Sequence, residues 1–276
     1  MNKLKVLGPK GTYSDIASRY FLKELPNYEV EYERSILNVA LNIGDNLAVL
    51  PFENSLDGFV LESLDQIISN DLKILKQYKL GIDFAFVSNC DNLDEIKDVY
   101  VQFKTYGQCL DFISKHNFNI LKTESNIESL NFLLNNSNKN CGAIIPIHVL
   151  KKYDFNLKIL HVADSKNNET RFFLVSKEES NIKHNKECSV SILFNAIIDK
   201  PGILFNILKR FHDRNVNLNA IMSRPSKNGI GQYNFYIECS LKSVDLKTLY
   251  ELIDDVNKTN ELKAILLGVY DAIWEW

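Results

Sequence analysis

Several features that mark other protein classes are missing from this sequence of 276 residues. No apolar run approaches the roughly 20 residues that a membrane-spanning helix needs, and no apolar core of signal-peptide length precedes Gly8. Lysine and arginine form no run that would follow a phosphate backbone, and the net charge is −3. We therefore expect no nucleic-acid partner and no membrane partner.

Cysteine and histidine are few and scattered. The five cysteines are odd in number and never form a Cys-x-x-Cys pair, a pattern that predicts free thiols in a reducing compartment and hence a cytoplasmic protein. The five histidines are equally dispersed, so we expect no metal site and no cofactor.

The residues that are present follow the pattern of an α/β protein. A hydrophobic content of 45% and a charged content of 24% are typical of a soluble globular protein with a sizeable core. Short apolar runs alternate with amphipathic stretches over the first 180 residues. This pattern predicts strands at 5–7, 47–50, 99–102, 119–122, 142–145 and 171–176, and helices at 14–23, capped by Ser14 or Asp15, and 59–68.

Two long extended stretches, at 72–87 and 157–162, are expected to carry the chain between two lobes. We predict a domain over 1–180, with lobe one at about 1–80 plus 163–180 and lobe two at about 81–162. Two crossings imply a cleft, and clefts between lobes are favoured ligand sites.

The C-terminal part has a different order of elements. A polar run over 177–187 predicts a linker, and a second domain follows over 188–276. Strands near 188–198, 216–224, 231–240 and 262–270, with helices near 202–213 and 245–257, predict a ferredoxin-like βαββαβ fold.

Three segments have the residue types of an anionic-substrate site. The first is Gly8-Pro9-Lys10-Gly11-Thr12-Tyr13-Ser14, whose glycines and helix start offer backbone N–H groups to an anion. The second is Glu53-Asn54-Ser55-Leu56-Asp57-Gly58, polar residues directly after a buried strand. The third is Thr170-Arg171-Phe172, where a guanidinium suited to a carboxylate adjoins a hydroxyl. Taken singly, each segment also has a purely structural interpretation: a tight turn with a capped helix for the first, a plain polar loop for the second and a surface salt bridge, the default, for the third.

Together and in this order, the three segments resemble the motifs of the prephenate dehydratase family. The resemblance extends to Pro201-Gly202-Ile203-Leu204 and to Asn217-Leu218 and Ser223-Arg224-Pro225, which are similar to an ACT regulatory domain. It implies a two-lobed fold like that of periplasmic binding proteins, followed by the ACT domain. The implied reaction is the decarboxylating dehydration of prephenate to phenylpyruvate in L-phenylalanine biosynthesis. L-phenylalanine is the implied allosteric effector, and a homodimer or homotetramer the implied assembly.

The resemblance also assigns roles to residues of this chain. Thr170 matches the family's essential threonine, Arg171 its arginine for the substrate carboxylate, Asn54 its amide, and Gln108 the glutamine that precedes a cysteine. The implied substrate-binding residues are Thr12, Ser14, Glu53, Ser55 and Phe172. The implied effector-binding residues are Gly202, Leu204, Asn217, Leu218, Ser223 and Arg224.

Other functions stay open at this point. Arogenate dehydratase acts on the amino analogue of prephenate, and the sequence does not separate the two substrates. Around Gln108 only Gln-Cys of the longer family motif is kept, and Met222 replaces the family's usual glutamate. A non-catalytic amino-acid sensor of the same fold is therefore an alternative, as is a C-terminal domain that serves for dimerisation alone.

Overall fold

The structure is a computed structural model that describes residues 1–136, 138–179, 187–198, 200–226, 232–242 and 246–271. The chain divides into two compact units. One holds Met1–Gln66 and Lys79–Phe172, and the other holds Ile67–Tyr78 together with the described part of Phe173–Glu275. The sequence-based boundaries at 1–180 and 188–276 stay a prediction.

Helices and strands alternate along the chain. Residues 2–81 form β1 (Asn2–Leu7), α1 (Tyr13–Leu22), β2 (Tyr28–Glu33), α2 (Ile36–Leu41), β3 (Leu47–Asn54), β4 (Gly58–Phe59), α3 (Leu61–Ser69) and β5 (Lys73–Gly81). Residues 84–160 form β6 (Phe84–Ser88), β7 (Asp98–Gln102), α4 (Phe103–Gln108), α5 (Leu110–Ile113), β8 (Asn119–Thr123), α6 (Asn126–Asn135), β9 (Cys141–Pro146) and β10 (Leu157–Leu160). The remaining elements are β11 (Glu169–Ser176), β12 (Glu187–Ala196), α7 (Ile203–His212), β13 (Leu218–Pro225), β14 (Tyr233–Lys242), α8 (Leu246–Asn257) and β15 (Leu262–Asp271).

Two sheets form the two lobes that the sequence pattern predicts. The first has the strand order β2-β1-β3-β11-β5, with β4 paired to β3, and β1 runs parallel to both neighbours. The second has the order β10-β6-β9-β7-β8, with β7 parallel to β8 and β9. The predicted two-lobed α/β fold class is confirmed.

The C-terminal elements form the predicted ferredoxin-like fold. Their sheet has the order β13-β14-β12-β15, and every pairing in it is antiparallel. The apolar face of α7, with Ile203, Ile207 and Phe211, joins Val190 and Phe194 of β12 in one core. Burying this apolar stripe is what holds the helix on the sheet.

Some element boundaries differ from the predicted ones. The N-cap of α1 is Thr12, not Ser14 or Asp15, and its hydroxyl accepts from the Asp15 N–H at 3.4 Å. Strand β3 continues past Leu50 through a proline to Asn54, because pairing with β4 extends the ladder.

Strands β2 and β4 and helix α2 were not predicted, and one prediction lies outside the described residues. Strand β2 reads Tyr-Glu-Val-Glu-Tyr-Glu, a charged alternation suited to the edge position that it occupies, and α2 follows it. The predicted linker falls largely on residues 180–186, outside the described residues.

In the described ranges, no helix combines the length and apolar character needed to cross a membrane.

Candidate active site

The scaffold of the candidate site is the junction of β3 with the start of β11. The Ser55 N–H donates to the Glu169 carbonyl at 2.9 Å, and the Ser55 hydroxyl accepts from the Glu169 N–H at 3.0 Å. The same hydroxyl donates to the Asn167 carbonyl at 2.9 Å. Ser55, predicted to bind substrate, therefore ties the two segments together and brings Asn54 beside Thr170.

The Asn54 side chain links the two segments in a defined direction. Its Oδ1 accepts from the backbone N–H groups of Leu56 at 2.9 Å and Asp57 at 3.0 Å. Its Nδ2 must therefore face the other way, where it donates to Thr170 Oγ1 at 3.0 Å and to Asn168 Oδ1 at 2.8 Å. Among the described residues, no acceptor takes the Thr170 hydroxyl's own proton. The hydroxyl is thus arranged as a donor to something else.

Gln108 of the second lobe reaches the same cluster. It is the last residue of α4 and is 7% exposed. Its Nε2 donates to Asp57 Oδ2 at 2.8 Å, and its Oε1 accepts from Asn168 Nδ2 at 2.9 Å. The Gln108 carbonyl accepts from the Asp164 N–H at 2.8 Å, which holds the end of the helix. Burial raises the pKa of the neighbouring Cys109 thiol, which disfavours the reactive thiolate form.

Arg171 has a different neighbour from Thr170. Its Nη2 lies 2.8 Å from Glu53 Oε2, and its guanidinium carbon lies 5.2 Å from the centre of the Phe52 ring. Because successive side chains of a regular strand point to opposite faces, Thr170 meets Asn54 whereas Arg171 meets Glu53. Phe172, predicted to bind substrate, is 1% exposed and belongs to the core.

The glycine-rich loop before α1 is organised by a carboxylate of its own. The Gly11 N–H donates to Asp15 Oδ2 at 2.8 Å, and Arg19 donates to the same carboxylate from one turn further on. Burial favours a higher pKa for the Asp15 carboxyl, but hydrogen bonds from Arg19, Tyr32 and the Gly11 N–H hold it below its usual value. The N–H group expected to face an anionic substrate therefore already has an anionic partner.

Two predicted residues of this loop are not joined to the cluster. The Thr12 hydroxyl caps α1, and Ser14 is buried. Within the described ranges, no hydrogen bond or ion pair connects either residue with Asn54, Gln108 or Thr170. Their predicted contact with substrate stays a prediction.

The predicted effector residues divide into two groups. Gly202 and Leu204 line a cavity of about 210 Å³, whose other lining residues are Ala196, Lys200, Ile203, Tyr233 and Phe235. Ser223 is the cross-strand partner of Phe235. In the described structure Asn217, Leu218, Ser223 and Arg224 do not line this cavity.

Sequence reasoning did not assign a role to Asp57 or Asn168, which complete the cluster. Asp57 lies inside the second motif segment, three residues after Asn54, and Asn168 lies two residues before Thr170. Their partners are far away along the chain, since the Asn168–Gln108 bond spans 60 residues and the Asn168–Asn54 bond spans 114. Their position close to the motif residues was the signal that the sequence offered. The hydrogen bonds that they form are seen only in the folded structure.

Known proteins resemble this chain over most of its length. The model of the prephenate dehydratase family matches residues 4–180. The prephenate dehydratase of Methanocaldococcus jannaschii is 38% identical over 279 aligned residues, covering 98% of each chain. The crystal structure of the Staphylococcus aureus Mu50 prephenate dehydratase superposes with a TM-score of 0.81 at 26% identity, covering 98% of this chain and 100% of that one. The Arthrobacter aurescens enzyme in complex with L-Phe has the same fold, with a TM-score of 0.83 at 23% identity over 98% and 90% of the two chains. The chain belongs to the prephenate dehydratase family.

Proposed function

We propose that this chain converts prephenate to phenylpyruvate at the Asn54–Thr170 cluster. In this reaction the bond from the ring to its carboxylate breaks and releases carbon dioxide. The electron pair enters the ring, the opposite carbon–oxygen bond breaks, and the hydroxide takes up one proton to leave as water. Aromatisation drives the reaction, so the protein has to orient a dianion and assist the leaving hydroxide.

The observation that carries the proposal is the direction of the Asn54–Thr170 hydrogen bond. Because Thr170 Oγ1 accepts from Asn54 Nδ2, its proton is available for the leaving hydroxyl of the substrate. A threonine hydroxyl is a weak acid, so it stabilises the departing oxygen or relays a proton from water rather than giving up its own proton outright. Gln108 Nε2 supplies a further donor on the second-lobe side.

The test is incubation of the purified chain with prephenate while the absorbance of phenylpyruvate is followed. Arogenate is assayed in parallel, because the two substrates differ by one keto-to-amine change. Faster turnover of arogenate would reassign the substrate. Binding of prephenate in calorimetry without any product would instead identify a non-catalytic sensor.

Arg171 is proposed to bind a substrate carboxylate, with Glu53 holding the guanidinium in place. Arg171→Lys is expected to raise the KM for prephenate about tenfold with a smaller change in kcat, because an ammonium cannot form the paired hydrogen bonds of a guanidinium. Initial rates over a range of prephenate concentrations measure this.

A matched control for that substitution is Arg214→Lys, which changes a partly exposed arginine paired with the half-exposed Asp255. It is expected to leave the KM within about twofold, because Arg214 belongs to the C-terminal unit and not to the proposed site. An unchanged KM in Arg171→Lys, together with a lower melting temperature, would reduce Arg171 to a structural partner of Glu53.

We further propose that the C-terminal fold is an ACT regulatory domain that binds L-phenylalanine at the cavity beside Gly202 and Leu204. Gly202 has φ of +88° and caps α7, and a Cβ added there would meet no atom within 4 Å. The backbone is therefore open to close approach by a ligand. The Arthrobacter aurescens relative, solved in complex with L-Phe, supports the choice of amino acid.

Saturating L-phenylalanine is expected to lower turnover about 5- to 150-fold, the usual range of allosteric coupling. D-phenylalanine is the control, because it has the same hydrophobicity with the wrong stereochemistry. Turnover and melting temperature that both stay constant with the L-isomer would contradict the regulatory role.

A cytoplasmic homodimer or homotetramer completes the proposal, and the five buried free cysteines support a reducing compartment.

A further inference from the structure

Four residues of the site close into a ring of hydrogen bonds, three of them between side chains and one from a backbone N–H. Asn54 Nδ2 donates to Asn168 Oδ1 at 2.8 Å, and Asn168 Nδ2 donates to Gln108 Oε1 at 2.9 Å. Gln108 Nε2 donates to Asp57 Oδ2 at 2.8 Å, and the Asp57 N–H returns to Asn54 Oδ1 at 3.0 Å. We call Asn54, Asn168, Gln108 and Asp57 the amide ring.

The amide ring has one consistent direction. At one end, backbone N–H groups of Leu56 and Asp57 can only donate, so Asn54 must turn its oxygen to them. At the other end, the Asp57 carboxylate can only accept, so Gln108 must turn its Nε2 to it. Asn168, 2% exposed, has to accept from one amide and donate to the other, and an asparagine can do both.

We propose that Asp57 and Asn168 are positioning residues that fix the direction of the Gln108 side-chain amide. Nε2 carries two protons, of which the ring uses one, so the second stays available as a donor. If the amide were reversed, its carbonyl oxygen would take that place and repel a substrate carboxylate. The inference rests on the proposed function, because the direction matters only for an anionic substrate.

Substituting Asn168→Asp tests the ring with almost no change in shape. The new carboxylate at position 168 still accepts from Asn54 but cannot donate to Gln108, so two acceptors face each other whichever way the glutamine turns. We expect kcat/KM to fall about 10- to 100-fold, the effect of one unsatisfied buried polar group, and the melting temperature to fall as well. Asp57→Asn alone is expected to lose less than about tenfold, because the amide that it introduces can turn its oxygen to Gln108 Nε2.

The double variant Asn168→Asp with Asp57→Asn separates positioning from folding. In the double variant the carboxylate at position 168 accepts from Asn54 Nδ2 and from Gln108 Nε2. The new amide at position 57 donates to Gln108 Oε1, so the ring closes again with the Gln108 amide reversed. We expect the melting temperature to return to within a few degrees of the wild type while kcat/KM stays at least about tenfold low. Recovery of both quantities would show that the direction of the amide is irrelevant and overturn the proposal. A melting temperature that Asn168→Asp leaves unchanged would overturn the ring itself.

The two readouts keep this inference distinct from the proposed function. Wild-type protein that fails to turn over prephenate would contradict the proposed function. It would also remove the reason for a fixed amide direction. The thermal coupling between positions 57 and 168 would still report whether the ring exists. If the wild type is active but the melting temperatures show no coupling between positions 57 and 168, the ring is contradicted and the proposed function is not.

Discussion

Replacing Thr170 by alanine is expected to lower kcat about 10²- to 10³-fold, the usual loss when one transition-state donor is removed. Folding is expected to survive, because Asn54 Nδ2 has acceptors besides Thr170 Oγ1. These are Asn168 Oδ1 at 2.8 Å and the Glu169 carbonyl at 3.0 Å, so neither Nδ2 proton is left without a partner. The measurements are kcat with prephenate and a thermal melt of the same preparation.

Two further substitutions at the same position make the result specific. Thr170→Ser keeps the hydroxyl and is expected to retain activity within about tenfold, whereas Thr170→Val keeps the shape without the hydroxyl and should match alanine. A valine variant with near-normal kcat would remove the hydroxyl from the mechanism.

Substituting Gly268→Ala is expected to destabilise the C-terminal unit strongly, although it adds only one methyl group. A Cβ at this position in β15 would lie 2.2 Å from the Ile74 carbonyl oxygen and 2.9 Å from the Ile74 Cβ. Because the first obstacle is backbone, no side-chain rotation relieves the clash. Overpacking of this kind costs about 1–3 kcal/mol or more, which corresponds to a fall of about 5–10 °C in melting temperature.

Gly81→Ala is the matched control, since Gly81 ends β5, the strand that contains Ile74. A Cβ at Gly81 would meet nothing within 4 Å, and the melting temperature is expected to change by no more than about 2 °C. Equal melting temperatures for Gly268→Ala and the wild type would show that β15 does not pack against the Ile74 backbone as the structure has it.

The sequence pattern was most informative where a short segment decides its own conformation. The order of strands and helices predicted over 188–270 was enough to predict the ferredoxin-like fold of the C-terminal part. The charged edge strand β2 was not predicted, because an alternation of tyrosine and glutamate lacks the apolar character by which strands are recognised. The continuation of β3 through Pro51 was missed because its short partner strand β4 was not predicted.

In the candidate site, too, the sequence identified individual residues, whereas the structure decided which of them meet. Motif order was sufficient to single out Asn54, Gln108 and Thr170. In the structure Asn168 links Asn54 with Gln108, and Asn54 donates to Thr170. Thr12 and Ser14 have no described link to that cluster, and Arg171 meets Glu53 rather than Asn54.

By itself, the chemistry of the residues determined the α/β class, the family and which functional groups are available, since composition, periodicity and motif order are properties of the chain. Tertiary structure decided which of those groups meet and in which direction their amides point, because a hydrogen bond across 114 residues exists only after the chain has brought its donor and acceptor together. It also decided that Ile67–Tyr78 belongs with the C-terminal unit, since compactness depends on packing in space and not on position along the sequence.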